Sequence, residues 1–394
     1  MKFLHDLLQK QKPMFEKGGK FEKLHYLFEA NETFLFSPAS TTKNKGVQIK
    51  DAIDLKRMMM TVVIAMIPCL IFGIFNVGYQ HNIATGGATT FLSLDNFLFG
   101  ARWVLPIVLA SYVAGGLIEV VFAIIRKHPI NEGFLVTGML IPLIVPPTIP
   151  LWQVALATVF GVMVGKEIFG GTGMNVLNVA MTARAFLYFA YPSQISGAVW
   201  TQLADATPVD GYTGATALSI AYDTSTAGSG SVVSALGDFF SLNNMFMGFI
   251  PGSIGETSTL MALLGALILV LTGVGSWKII VSVFGGAFIM GAIFNAVGLN
   301  GFMDLPAHYH LVMGGLAFGA VFMATDPVSA AQTETGKWIY GLLIGMFTVL
   351  IRVVNPAYPE GIMLAVLFMN VFAPLIDYYV VQANKKRRLA RATV

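Results

Sequence analysis

Cysteine is almost missing from this 394-residue chain, with Cys69 the only one. A single thiol excludes an intramolecular disulfide, a Cys-ligated iron–sulfur cluster and a structural zinc site built within the chain. Charge is scarce too: charged residues make up 11% of the sequence, against about 25% in an average soluble domain. With 55% hydrophobic residues and a mean hydropathy of +0.70, the composition is that of a polytopic membrane protein. No cleavable leader is expected, because the first 57 residues are polar and basic, with no short apolar core after a charged start. Between Arg184 and Lys278 there is no Lys or Arg at all.

Apolar runs bounded by Gly or Pro are what the chain has in quantity. Ten spans are expected, at 58–78, 103–125, 134–145, 152–169, 176–192, 259–273, 278–298, 310–324, 338–354 and 361–381. A full helical span needs about 20 residues, so 134–145 and 310–324 should be short or broken. Lys and Arg then set the orientation. The first 57 residues hold 11 of the 24, the tail from Lys385 to Arg391 holds five, and Arg126, Lys127, Lys166, Lys278 and Lys337 fall in alternate loops. These belong on the cytoplasmic side; only Arg102, Arg184 and Arg352 lie elsewhere. Both termini are expected inside and the long segment 193–258 outside.

Gly133, Gly138 and Pro146 recur as Gly314, Gly319 and Pro327, at a constant offset of 181 residues. The copies occupy the third and eighth spans, so five spans per half makes the halves oppositely oriented. Short, Gly/Pro-broken segments at matching places in inverted halves mark a site near the bilayer midplane. The plainer explanation is that both residues are common in membrane helices. The expected fold class is all-α and polytopic, with about ten transmembrane helices in two inverted five-helix repeats. Its parts are a basic amphipathic segment (1–57), a first half (58–192), an outward loop (193–258), a second half (259–381) and a basic tail (382–394).

The outward loop contains Asp210-Gly211-Tyr212-Thr213-Gly214-Ala215-Thr216, followed by ALSIAY. Thr213 or Thr216 can cap a short helix over ALSIAY, or the stretch can be a plain flexible turn. It also resembles the flavinylation signal in which an FMN phosphate is esterified to the final threonine. A threonine hydroxyl is a weak nucleophile that needs activation, so a flavin transferase must grip the segment in an open form. Gly214 and Ala215 leave room for that, and Asp210 lies close enough to be read.

With RKHPINEGF (126–134), GKEIFGGTGMNVLN (165–178), IPGSIGET (250–257), FMATDPVSA (322–330), RVVNPAYPEG (352–361) and the tail KKRRLAR (385–391), the chain resembles the B-subunit (NqrB) family of Na+-translocating NADH:quinone oxidoreductases over nearly its whole length. The paralogous RnfD subunits share the flavinylation motif and ten spans but typically lack so long a cytoplasmic extension as residues 1–57. One departure is notable. Where the family often reads N-P-A-L-A-G-R-A, this chain has Asn178-Val179-Ala180-Met181-Thr182-Ala183-Arg184-Ala185. The missing proline is expected to leave that helix start less fixed.

The resemblance implies a subunit of a redox-driven sodium pump in a bacterial inner membrane, with five other subunits (A, C, D, E and F) and a flavin transferase as partners. Electrons from NADH would enter through other subunits, since this chain has no soluble dinucleotide-binding unit. They would pass through covalent FMN on Thr216 to non-covalent riboflavin and then ubiquinone, with Na+ as the transported ion.

Ser253 and Glu256 have the spacing of a capping box ahead of the run 259–273. A helix N-terminus there, on the flavin's side, is expected to bring Ser253, Gly255, Glu256 and Thr257 around the FMN. Asn175 and Asn178, three apart and so on one face of a helix, are expected to hold the pyrimidine edge of riboflavin beside the turn containing Gly171. The alternative is helix–helix hydrogen bonding. Intramembrane charges are few, and such residues default to functional or paired roles. Asp326, Glu119, Glu360 and Asp377 are the candidates for the ion's route, Asp326 first because it begins a Pro-broken segment. Arg184 and Arg352 can simply neutralise carboxylates. The N-terminal segment alternates Lys with Phe, Leu and Tyr, as in a helix lying on anionic lipid; nucleic acid is not an expected partner. A non-redox small-solute transporter is the reading from a different class, since inverted repeats are common there.

Overall fold

A computed structural model describes residues 2–16, 18–36, 53–87, 90–128, 130, 133–195, 197, 214–228, 231–355 and 360–392. Every regular element among them is helical. Two amphipathic helices, α1 (Lys2–Gln11) and α2 (His25–Leu35), come first. They are tied by Gln9 and Lys12, which both donate to Glu32 Oε1, at 2.8 and 3.0 Å, and by stacking of Phe15 on Phe28.

The apolar helices follow: α3 (Leu55–Ala84), α4 (Leu94–Arg126), α5 (Gly133–Leu143), α6 (Leu151–Gly165) and α7 (Val179–Ala190). A run of short helices comes next, α8 (Pro192–Ile195), α9 (Ala217–Ala227), α10 (Val232–Leu236) and α11 (Leu242–Met247). The second apolar set is α12 (Thr259–Leu271), α13 (Trp277–Val297), the fragments α14 (Tyr309–Val312) and α15 (Leu316–Phe318), a π-helical turn Gly319–Met323, α16 (Glu334–Val354) and α17 (Ile362–Ala392). Six stretches are long and apolar enough to cross a membrane: α3, α4, α6 with its 3-10 extension to Phe169, α13, α16 and α17. The chain is a multi-pass membrane protein. The other four expected spans coincide with the shorter α5, α7 and α12 and with the broken 309–323.

Side-chain oxygens start these helices by accepting a first-turn N–H. Asp54 does so for α3 at 2.9 Å from Arg57, and Ser93 for α4 at 3.1 Å from Asn96. The two apolar sets pack alike: α4 with α6 as α13 with α16, and α6 with α7 as α16 with α17. Across the sets, α3 packs on α12 and α7 on α17. Between membrane helices small residues allow close approach. A Cβ on Gly345 of α16 would stand 2.6 Å from the Ala287 backbone nitrogen of α13.

The segment 310–324, expected to be short or broken, is interrupted at Met313, which is extended, and at Gly314, which has φ +62°. Freed carbonyls at such depth need internal donors. Arg352, wholly buried, supplies them, donating to His310 O at 2.7 Å and Met313 O at 2.8 Å. At the other end, α17 does not stop at the apolar boundary but runs through Lys385–Arg391 to Ala392.

Candidate functional site

Thr216 is the N-cap of α9, its Oγ1 accepting from Ser219 N–H at 3.3 Å. The capping alternative in the sequence is therefore realised. Gly214 just before it has φ +60°, a left-handed turn suited to glycine. Asp210 lies outside the described residues. The Thr216 side chain faces a cavity of ≈ 370 Å³ that Arg184, Tyr188, Tyr222, Ser253, Glu256, Thr257, Gly315 and Glu360 also line. That volume is in the range of small-molecule sites.

Three elements meet on one guanidinium in this cavity. Arg184 of α7 donates through Nη1 to both carboxylate oxygens of Glu256, at 2.9 and 3.1 Å, and through Nη2 to Glu360. All three side chains are largely buried. Such a pair is costly to desolvate, and removing one partner leaves an uncompensated charge. Ser253 Oγ donates to Glu256, but the pair is not a capping box. Helix α12 begins at Thr259, and its cap is Ser258, accepting from Met261 N–H at 3.2 Å. Glu256 is drawn away by Arg184, a partner distant in sequence. Gly255 does not line the cavity: its N–H donates to Leu143 O at 2.7 Å, and a Cβ there would meet Leu143.

A second cavity, ≈ 100 Å³, is lined by Met58, Met59, Gly133, Lys166, Thr172, Asn175, Asn178, Gly275 and Asp326, among others. It joins residues at the starts of α3 and α5 to the loop after α12, so it lies at the bundle end opposite the Thr216 cavity. Asn175 and Asn178 share it, though not by sharing a helix face. Both precede α7, and Asn178 caps it, accepting from Met181 N–H at 3.1 Å. Val179 stands at the first helical position, where a proline fits without loss, so the cap fixes a helix start that was expected to be loose. Gly171, with φ +102°, forms the adjacent turn but does not line the cavity; Thr172 does, and its Oγ1 is buried without a hydrogen-bond partner among the described residues.

These two cavities precede a clear match. The sequence profile of the NQR2, RnfD, RnfE family covers residues 42–386. The chain belongs to this family. Among its curated relatives is the B-subunit of the Na(+)-translocating NADH-quinone reductase of Stutzerimonas stutzeri, 50% identical over 98% of both chains. Its namesake in Chromohalobacter salexigens is 51% identical over 98% of this chain and 96% of the relative. The Pseudomonas aeruginosa protein of the same name is 48% identical over 98% and 99%.

Within this family member the four carboxylates considered for ion movement are scattered. Asp326 lines the smaller cavity and accepts from Ser329 Oγ at 2.7 Å and Val328 N–H at 3.2 Å. Glu119 is buried against Lys166, which follows the last residue of α6. Glu360 belongs to the Arg184 cluster. Asp377 accepts from Gln332 N–H, Thr333 N–H and Thr333 Oγ1, at 2.7, 3.0 and 2.6 Å, anchoring α17 to the start of α16. The neutralising role considered for the two arginines holds for Arg184; Arg352 instead serves backbone carbonyls. Gly315 and Thr172 carried no sequence signal of their own.

Proposed function

We propose that this chain is the flavin-bearing B-subunit of a Na+-translocating NADH:quinone oxidoreductase. The observation that carries the reading is the position of Thr216, which caps an eleven-residue helix and lines the larger cavity. A phosphate esterified to its Oγ1 would sit where free N–H groups and the helix dipole favour an anion. Other residues fit the same group. Gly197 keeps the hydroxyl accessible, since a Cβ there would stand 3.1 Å from Oγ1, while Arg184 in the same cavity is taken up by Glu256 and Glu360. Bound there, FMN supplies one-electron carriage. The chain's own residues hold its phosphate through Thr216 and fix the guanidinium through Glu256 and Glu360.

At the opposite cavity Asn175, Asn178 and Thr172 offer amide and hydroxyl groups to the pyrimidine edge of riboflavin, and the orphaned Thr172 Oγ1 is what such a ligand would satisfy. The narrow cavity suits a ring edge more than a whole ring system. Ubiquinone is the proposed acceptor and Na+ the transported ion, with Asp326 first among the carboxylates on its route. Subunits A, C, D, E and F and a flavin transferase are the proposed partners. The proposed topology is ten spans in two inverted halves in a bacterial inner membrane, termini cytoplasmic and Thr216 periplasmic. Covalent flavin on the denatured subunit tests the reading. The wild-type band should fluoresce under ultraviolet light and the Thr216→Ala band should be dark. A fluorescent Thr216→Ala band would refute it.

A further inference from the structure

Helix α17 carries Lys385, Lys386, Arg387 and Arg388 in succession, all exposed and none in an ion pair with a described residue. Their level is fixed by neighbours. Asp377 is bound to Thr333 at the start of α16. Around that end stand the exposed Trp277 and Trp338, packed edge to face at 5.6 Å, and the exposed Tyr378 and Tyr379. Lys278 and Lys337 both meet Glu334 there. Exposed Trp and Tyr with Lys form the belt expected at a membrane–water interface.

At about 1.5 Å rise per residue, the four cations lie about 12–17 Å beyond Asp377 along the helix. The headgroup layer is roughly 5–8 Å thick on each side, so the run stands about 4–12 Å beyond its outer edge, a gap centred on one Debye length (~8 Å). Its angular spread decides what it meets. Successive helical residues are about 100° apart, so four in a row surround the axis. A groove on a folded partner covers one face of a helix, whereas the field of a charged membrane surface acts on cations all round it.

We propose that Lys385–Arg388 form a collar for the headgroups of anionic phospholipid, holding the inner end of α17 against the bilayer surface. Cations held near such a surface are attracted to it, and the attraction adds up along the run. The collar is independent of the flavin reading.

Trypsin reports on it directly. The whole complex, carrying Arg391→Gln so that Lys385–Arg388 are the last tryptic sites and an uncharged epitope tag after Val394, is placed in nanodiscs of phosphatidylcholine alone or with phosphatidylglycerol, and tag release is timed. The collar predicts release at least ten-fold slower in the anionic discs, with that protection lost in about 1 M salt, where the Debye length falls to ~3 Å. Equal protection in both discs would mean that a protein neighbour covers the run, and rapid release in both would mean that it is simply solvated. Either result overturns the proposal.

Discussion

Arg184 Nη1 lies 2.9 and 3.1 Å from the two carboxylate oxygens of Glu256, a residue 72 positions further along the chain. The contact joins α7 of the first apolar set to the turn before α12 of the second. It also brings Glu360, ahead of α17, into the same cluster. Arg184→Leu should therefore cost more than a lost hydrogen bond, since two buried carboxylates are left without their cation. The expected loss is about 3–5 kcal/mol, read as a large drop in the thermal unfolding temperature of the purified complex. Arg184→Lys should recover only part of it, because a compact ammonium cannot span both partners with a planar fork.

Gly315 sits against that pair. A Cβ there would stand 2.5 Å from Glu256 Oε1. Gly315→Ala is expected to displace the carboxylate, lower the covalent flavin content and shift the flavin midpoint potential. Gly285→Ala in α13, where a Cβ meets nothing within 4 Å, should leave both unchanged and gain helix stability of about 1 kcal/mol. Potentiometric titration of the two variants side by side separates a local effect from a general one.

Asn178 carries two roles that substitutions can part. Its Oδ1 caps α7, while its amide lines the smaller cavity. Asn178→Ala should lose the cap, about 1 kcal/mol, together with the amide. Asn178→Asp keeps an acceptor for the cap but removes the amide donors. Riboflavin extracted from purified complex should fall in both variants, while thermal stability should fall only in the alanine one. Full riboflavin content in Asn178→Asp would remove Asn178 from the ligand's contacts.

Arg352 donates to three backbone carbonyls, those of His310, Met313 and Glu360, at 2.7, 2.8 and 2.9 Å. It thereby holds the broken segment 309–323 to the chain that presents Glu360. Arg352→Lys cannot reach all three, and each buried carbonyl left without a donor costs about 1–3 kcal/mol. Faster proteolysis of the 309–315 region in the variant, with the helices elsewhere still protected, is the expected result.

Much of this was legible in the sequence, for physical reasons that differ from site to site. Long apolar runs and the spacing of Lys and Arg give the helices, because lipid leaves the backbone few other choices. Thr216 was legible as a cap, since a hydroxyl just ahead of ALSIAY is placed to start a helix; that it also lines a cavity is what the fold adds. Glu256 lines the Thr216 cavity as expected, but its part in a helix cap was misread. Its spacing from Ser253 mimics a capping box, and nothing local reveals that Arg184 will claim it. Asn175 and Asn178 do share a cavity, but not through a shared helix face: Asn178 caps α7 and Asn175 lies in the turn before it, donating to Leu177 O. Gly315 and Thr172 acquire meaning only from neighbours distant in the chain.

The most direct test of the flavin reading is the mass of the tryptic peptide between Arg184 and Lys278, which contains no internal Lys or Arg, from complex made in a host with an active flavin transferase. The expected peptide is heavier by FMN less one water, with the addition on Thr216 and absent in Thr216→Ala. An unmodified peptide from that same host would contradict it and leave Thr216 as the cap of a short helix.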